Sequence, residues 1–511
     1  MSYLMSIDIG TTNWKVIAFN PDGTIAARAR VPAKTRYDNG RGYYLADDIW
    51  GSVISCIREL SGVIGLKDII AVSATSMGES MVPVGAGGEE LYPVIAWFDT
   101  RASRQSCYLQ EKAGDSQIFN NTGLKPGAVF SLPRILWMRE NHPEIYAKTY
   151  KWLQMADYIY FKLSGGYATD YSLASRTLAF DIRTNRWSEE MLRAAGVPEN
   201  CFPTVMQSGT VLGSVSREAA QLTGLKEGTP VVVGGHDHPC ATISVGALSE
   251  DILLDSSGTA ESFLYVSQPD MPLPSGMAGQ RQGRHLDPRR YVLWGGITAS
   301  GKSVEWAVDR LTLCRDWGME TEDVPFSELL KYCRDVPCGS NGIFFLPYLR
   351  GSGAPHWDTT AKGSFLGLSA ESTSPEMVKA VLEGLSYQAR QIIELHETLC
   401  KRNINRVSVA GGGSRLELWQ QIKADITGKT ILTQQVDEAS ALGAAVLAGV
   451  GVGVFENMEA GSKAVTRIGK EFKPHQDRRD FYNKGFEIYK ACYHSLAEIN
   501  AGISGLYDAV R

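Results

Sequence analysis

Short apolar runs that end in glycine recur along the chain. "YLMSIDIGTT" occupies 3–12, "IIAVSATSMGES" 69–80, "PVVVGGHDH" 230–238, "DILLDSSGTA" 251–260, "YVLWGGITASG" 291–301 and "RVSVAGGGS" 406–414. Runs of this length without polar alternation predict central strands, each followed by a tight turn at a sheet edge. Between them the apolar positions change to helical spacing. "LADDIWGSVISCIREL" (45–60, with Asp47 as N-cap), "SPEMVKAVLEGLSYQARQIIELHETL" (374–399) and "RLELWQQIKADIT" (415–427) predict helices with one buried face. "FYNKGFEIYKACYHSLAEI" (481–499) predicts another, packed on the body in a structural role. Strands alternating with helices imply an α/β architecture.

The pattern also contains an echo. "SIDIGTT" (6–12) is followed much later by "LLDSSGTA" (253–260), and in both a strand leads to Asp and then to a Gly-Thr turn. Two related halves with a boundary near residue 245 would set these turns across a cleft, where open α/β sheets bind ligands.

Composition narrows the class. A chain of 511 residues is too long for one hydrophobic core. Apolar residues at 44% and charged residues at 21% are ordinary for a globular protein, which excludes a disordered or collagen-like chain. A net charge of −5 and the lack of a basic block exclude a nucleic-acid or membrane-surface footprint. The nine cysteines (56, 107, 201, 240, 314, 333, 338, 400 and 492) are odd in number and form no CxxC pair, which fits a reducing cytosol. The start "MSYLMSIDIG" lacks the basic region of a signal peptide. The longest apolar stretch, "LGAAVLAGVGVGVF" (442–455), has fourteen residues and four glycines, too short to span a bilayer. A soluble cytoplasmic protein is expected.

Three stretches carry chemistry. In "DIGTTNWKVIAF", a turn with Gly10, Thr11, Thr12 and Asn13, followed by Lys15, can aim donors at phosphate oxygens, and Asp8 can hold Mg²⁺. The same residues also suit a hairpin turn capped by threonines. "GITASGKS" (296–303) matches G-x-x-x-x-G-K-[ST] letter for letter, after a strand and before a helix, so a P-loop NTPase is one reading. Against it, "ILLD", which ends in Asp255, lies upstream rather than downstream, and a Gly/Ser helix start accounts for the same letters. "VVVGGHDHPC" (231–240) sets Asp237 between His236 and His238 at the end of a strand. It reads as a metal site or as one catalytic base at the mouth of a cleft. Alternation of side chains along an extended strand, and the lack of another Cys/His cluster, weigh against zinc. Pro239 suits the first turn of a following helix, whose N-terminus favours an ionised carboxylate. Gly234 and Gly235 leave room for substrate.

Together these residues resemble the FGGY family of carbohydrate kinases, within the actin/hexokinase/heat-shock-chaperone superfamily. The resemblance covers nearly the whole chain. "GSFLGLSAESTSPEMVKAVLE" (363–383) fits the family's C-terminal signature through Gly363, Phe365, Gly367, Leu368, Glu376 and Ala380 to Glu383. "DIGTTNWK" and "SSGTA" resemble its two phosphate motifs, "SMGES" and "WFDTR" its sugar-site segments, and "GGHDH" its catalytic-base segment. "GITASGKSVEW" and "VAGGGSRLELWQQIKADITG" resemble its nucleotide side, and "LPYLRGSGAPHWD" is typical of it. The chain departs where the N-terminal signature usually carries a lysine: here "SLPRILW" has Arg134.

The resemblance implies an α/β fold of two actin-like, ribonuclease-H-like domains around a central cleft. An N-terminal domain, 1–245, would carry the sugar side, the first phosphate motif and the base; a C-terminal domain, 246–511, would carry the adenine nucleotide. It implies transfer of the γ-phosphate of ATP, with Mg²⁺, to a hydroxyl of a small ketose (pentulose or 6-deoxyhexulose) or a polyol. Asp237 would be the base. Met77, Gly78, Glu79, Trp97, His236 and His238 would bind substrate, although Trp97 also suits a core, Glu79 a surface loop and the histidines packing or helix capping. His-Asp at this position resembles the rhamnulose and fuculose kinase branches. Asp99 and Arg101 also read as a structural ion pair. Thr11, Thr12, Asn13, Lys15, Gly258, Thr259, Gly301, Gly412 and Gly413 would bind ATP, and Asp8 the metal. No nucleic-acid or membrane partner is implied, and a homodimer is the family-level expectation. A non-kinase ATPase of the same superfamily shares the phosphate turns, so the sugar-side segments are what separate the two.

Overall fold

The computed structural model describes residues 2–271, 279, 281–311 and 330–508; of the cysteines, Cys314 lies outside them. Two mixed sheets organise the chain. The first has six strands: Tyr3–Ile9 (β1), Asn13–Phe19 (β2), Ile25–Pro32 (β3), Ile69–Ser76 (β4), Val211–Ser214 (β5) and Pro230–His236 (β6), in the order β5-β6-β4-β1-β2-β3. The second has seven: Ile252–Ser257 (β7), Glu261–Val266 (β8), Arg281–Arg284 (β9), Tyr291–Ile297 (β10), Arg406–Ala410 (β11), Thr430–Gln434 (β12) and Ile468–Phe472 (β13), in the order β9-β10-β8-β7-β11-β12-β13.

The sheets share one plan. β1 and β2 form an antiparallel hairpin extended by β3, with β4 and β6 parallel on the other side and β5 closing the edge. β7 and β8 form the matching hairpin, extended by β10, with β11 and β12 parallel and β13 closing the edge. The Asp-to-Gly-Thr echo therefore reflects a repeated connection, with Asp8 two residues before its turn glycine and Asp255 three before its own. Burial explains the sequence pattern. β1 and β6 are buried at nearly every position, so they read as runs, whereas the edge strand β3 alternates Ala27 and Ala29 inward with Arg28 and Arg30 outward.

Helix Ala46–Leu60 (α1) covers one face of the first sheet with Ile49, Val53, Ile57 and Leu60. Its N-cap is Leu45 rather than Asp47, which lies in the first turn; the carboxylate of Glu90 takes the Ala46 amide at 3.0 Å instead. Helix Ser131–Asn141 (α2) brings up Arg134, and helix Met155–Ser164 (α3) packs under β4 and β6. Helix Asp237–Ser244 (α4) starts directly at the end of β6, with Pro239 in its first turn. In the second half, Gly301–Leu311 (α5), Ser374–Cys400 (α6) and Glu417–Thr427 (α7) pack on the second sheet or on each other. Helix Ala439–Gly451 (α8) instead crosses to the first sheet and lies on β1, β4 and β6. There Leu442, Val446 and Leu447 share a core with Leu4, Phe19, Ala71 and Val232. Gly443 allows α8 to press against the Cys240 carbonyl of α4. The final helix, Arg479–Asp508 (α9), buries Tyr482, Phe486 and Tyr489 against Tyr387 of α6. Among the described residues no helix is long and apolar enough to cross a membrane.

Candidate active site

The ends of β1, β4, β6, β7 and β10 converge on one cleft of about 860 Å³. Asp8, Thr11, Thr12, Asn13, Lys15, Met77, Gly78, Glu79, Trp97, His236, Asp237, His238 and Gly258 all line it. Thr259, Gly301, Gly412 and Gly413 do not.

Asp237 is the first residue of α4, so its backbone turns just as the strand ends. Strand alternation stops there, and the His236, Asp237 and His238 side chains all reach the cleft. His236 Nδ1 lies 2.8 Å from Asp237 Oδ1, and the His238 amide donates to the same oxygen at 2.7 Å. The two imidazole rings stack 5.6 Å apart, and each meets the Trp294 ring edge-on. Burial works to raise the Asp237 pKa. The His238 and His236 rings and the two hydrogen bonds outweigh it and hold the carboxyl well below the usual carboxylate range. Burial pushes His238 below the ordinary histidine value, partly offset by Asp237. Among the described residues no group of three or more His, Cys, Asp or Glu side chains could hold a metal.

Met77, Gly78 and Glu79 follow β4. A Cβ on Gly78 would meet His236 Cδ2 at 2.7 Å and Arg176 Cγ at 3.0 Å, so only glycine fits. Glu79 is buried and sits at φ +68°, a left-handed conformation that a non-glycine residue rarely takes. Its carboxylate pairs with Arg176, whose Nε donates at 2.6 Å. A surface-loop position for Glu79 is thereby excluded. Trp97 is 36% exposed, and its Nε1 donates to Thr11 Oγ1 at 3.1 Å, so it is a wall of the cleft and not a core residue. Arg134 holds these segments in place: its guanidinium donates to the carbonyls of Trp97 (2.6 Å) and Asp99 (3.1 Å) and approaches those of Glu79 and Ile95 at 3.4 Å. Asp99 and Arg101 form a buried two-pronged ion pair. Gly234 and Gly235 face away from the cleft, against the Ala74 carbonyl and Leu286, because β6 is squeezed between neighbours; they pack and make no room for substrate.

The opposite end is built from the two repeated turns. The Gly10 amide donates to the Asn13 carbonyl at 3.1 Å, closing the first. Asp8 and Lys15 are cross-strand partners, and Lys15 Nζ lies 3.6 Å from Asp8 and 2.7 Å from Glu438, the N-cap of α8. Burial raises the Asp8 pKa to about 6 against the pull of Lys15, with the Asp237 charge adding to the rise. In the second turn Gly258 lines the cleft, while its carbonyl and that of Thr259 accept the Gly301 and Lys302 amides at 3.0 and 3.2 Å. Beneath it, Lys423 is fully buried between Asp255 and Glu261. The glycine that needs its conformation in the "GGGS" stretch is Gly411, at φ +90° against the Ser257 carbonyl; Gly413 packs on the Ser257 side chain, and Gly412 meets nothing.

These contacts remove the P-loop reading. β10 is antiparallel to both its neighbours, the Gly301 and Lys302 amides are taken, and Lys302 Nζ points out to Glu305 at 3.1 Å. Arg176, Arg281, Trp294, Arg350 and Trp357 line the cleft but were not singled out in the sequence. No local motif marks them, although Trp294 falls in the quoted run "YVLWGGITASG" and Arg350 and Trp357 in "LPYLRGSGAPHWD".

Comparison with known proteins agrees with this arrangement. Residues 3–244 match the model of the FGGY family of carbohydrate kinases, N-terminal domain, and residues 254–452 match that of the C-terminal domain. Xylulose kinase of Bacillus subtilis is 28% identical over 508 residues, covering 98% of this chain and 99% of its own. Glycerol kinase of Saccharolobus islandicus is 28% identical over 502 residues, 96% of each chain. The crystal structure of gluconate kinase from Lactobacillus acidophilus superposes with a TM-score of 0.89 over 98% of this chain and 99% of that one, at 24% identity. With both family models matched and the two-sheet, actin-like frame in place, the chain belongs to the FGGY family of carbohydrate kinases, ATP-dependent phosphotransferases of sugars and polyols.

Proposed function

We propose that this chain transfers the γ-phosphate of ATP to a hydroxyl of a small open-chain sugar or polyol, and that Asp237 takes the hydroxyl proton. The position of Asp237 carries this reading. It stands where β6 turns into α4, between the Glu79–Trp294 wall and the two glycine–threonine turns. The acceptor lies against Met77, Gly78, Glu79, Trp97, His236 and His238, with the tryptophan rings covering its C–H faces. The phosphates lie at Thr11, Thr12, Asn13 and Gly258, with Lys15 balancing charge; Thr259, Gly301, Gly412 and Gly413 shape the backbone behind them. Closure of the two halves excludes water and aligns the hydroxyl with the phosphorus.

Asp237 is ionised at neutral pH, which a base requires, and His236 Nδ1 fixes the direction of its carboxylate. A weakly basic carboxylate suits a loose phosphoryl transition state, in which the hydroxyl becomes acidic only as its bond to phosphorus forms. Asp8 fits Mg²⁺: it is a desolvated carboxylate beside the first phosphate turn, and Mg²⁺ takes one or two carboxylates, phosphate oxygens and water. When bound, the ion supplies positive charge at the phosphates.

The names of the relatives, xylulose, glycerol and gluconate kinase, have open-chain polyhydroxy acceptors in common. A pentulose or a 6-deoxyhexulose falls in the same size range. The test is Asp237→Asn, followed by sugar-dependent ADP release and by calorimetry of ATP binding. Turnover falls by roughly 10²–10⁴-fold with ATP affinity retained; an Asn enzyme with full turnover overturns the role of Asp237.

A further inference from the structure

Beyond Trp294, at the acceptor end of the cleft, two guanidinium groups share one ring. Arg176 and Arg281 each lie 5.4 Å from the Phe130 centroid. Their surroundings differ. Arg176 is paired with Glu79 and lies 4.9 Å over Trp294. Arg281 lies 4.1 Å over Trp357, and among the described residues its guanidinium has no hydrogen-bond or ion-pair partner. It also lines the cleft. Burial, and then the neighbouring Arg176 charge, lower its pKa to about 10 against a smaller pull from Glu79, whose carboxylate is paired with Arg176, so it remains a cation at neutral pH with no carboxylate of its own. Stacked aromatic rings orient a guanidinium but leave its in-plane donors free.

Arg281 of β9 is the cross-strand partner of Trp294 of β10, whose ring edge meets both His236 and His238. The order along the wall is therefore Asp237, the histidines, Trp294, and then the unpaired guanidinium. An acceptor whose reacting hydroxyl is at Asp237 presents its far end to Arg281. A neutral polyol leaves that charge desolvated and unmatched, whereas a carboxylate meets the planar fork with two parallel hydrogen bonds.

We infer that the acceptor is a polyhydroxy acid, an open-chain aldonate or keto-aldonate of four to six carbons, and that Arg281 binds its carboxylate. This rests on the sugar-kinase reading above and deepens it. The phosphorylated hydroxyl is then at the end of the chain remote from the carboxylate, and Arg281 separates acids from neutral sugars.

The test is coupled ADP release by the full-length enzyme with three acceptor sets: four- to six-carbon aldonates including D-gluconate, neutral ketoses and polyols of matched length, and the corresponding sugar phosphates. Wild type, Arg281→Gln and Arg281→Lys are compared after thermal melting has established that each is folded, and D-gluconate binding is followed by calorimetry. The expected result is an aldonate favoured over its neutral counterpart by at least about tenfold in kcat/KM. Arg281→Gln lowers kcat/KM for the acid roughly 100-fold, mainly through KM, and brings the acid-to-neutral ratio near one; Arg281→Lys falls between. A neutral sugar as the best substrate, with an acid-to-neutral ratio that Arg281→Gln leaves untouched, overturns the inference and leaves the kinase standing. Preference for the sugar phosphates overturns the carboxylate in favour of a phosphate. ADP release with no acceptor in any set overturns the kinase reading and this inference with it.

Discussion

Asp8 and Asp255 stand two and three residues before the glycine of the repeated turn, so alternation along the strand sends them to opposite faces, and Ser256 takes the cleft-lining place of Asp8 in the second copy. Asp8 faces the cleft, with Lys15 at 3.6 Å and Glu438 beyond it, and Lys15 is itself partly exposed. Asp255 is sealed from solvent against an equally buried Lys423, and Lys423 also holds Glu261 at 2.6 Å. Burial and the Glu261 charge drive the Asp255 pKa well up, while Lys423 keeps Glu261 ionised. The inner cluster is thus a buried cation held between two carboxyls, of which Asp255 is the more readily protonated, a support under the second turn. The outer carboxylate keeps its chemistry available. The repeat preserved a frame for two glycine–threonine turns; the first presents Asp8 to the cleft and the second presents Ser256.

The sharpest way to break this contrast is Lys423→Met. It strips the counter-charge from a dry site and should cost about 3–5 kcal/mol, read by denaturant unfolding; the same change at Lys15 should cost about 1 kcal/mol or less. Asp8→Asn comes next. The Asp8 pKa stands at about 6 against an ordinary 3.8, so the folded state holds the proton more tightly and stability is lost as pH rises through 6. The Asn variant should therefore melt above wild type at pH 7.5, by up to roughly 3 kcal/mol, with the gap closing by pH 4. Asp255→Asn has the smallest expected effect. Burial and the Glu261 charge already favour its protonated form, and stability should change by about 1 kcal/mol or less; a loss as large as that of Lys423→Met would mean that Asp255 is charged and the contrast is mistaken.

The parts that sequence made legible follow from burial. Central strands covered on both faces read as apolar runs, and chemistry at their ends is marked by glycine, which is why the Asp8, Met77–Glu79 and Asp237 stations were found. Residues that reach the cleft from an edge strand or a loop carry no such mark. Arg281 sits among arginines in "RQGRHLDPRR". Nor is burial on a helix marked: Lys423, sealed beneath the second turn, reads as an ordinary lysine in "WQQIKADIT". The "GITASGKS" letters misled because spacing says nothing about strand direction or about which amides are already bonded. The stretch that resembled the family most specifically is structural here: Glu383 accepts from the Gly339 amide, Ser340 and Tyr482, and Gly367 presses on the Gly342 carbonyl, outside the cleft.

The crossing of α8 onto the first sheet has a consequence in time. Ribosomes release a chain from its N-terminus, and domains form as they emerge. The strands that α8 covers end at His236, but the helix itself is complete only at Gly451. Until then Leu4, Phe19, Ala71 and Val232 lack their cover. A nascent chain, or one cut at residue 245, carries that bare face into a crowded cell, so the first half of this enzyme waits on the second before it is safe from its neighbours.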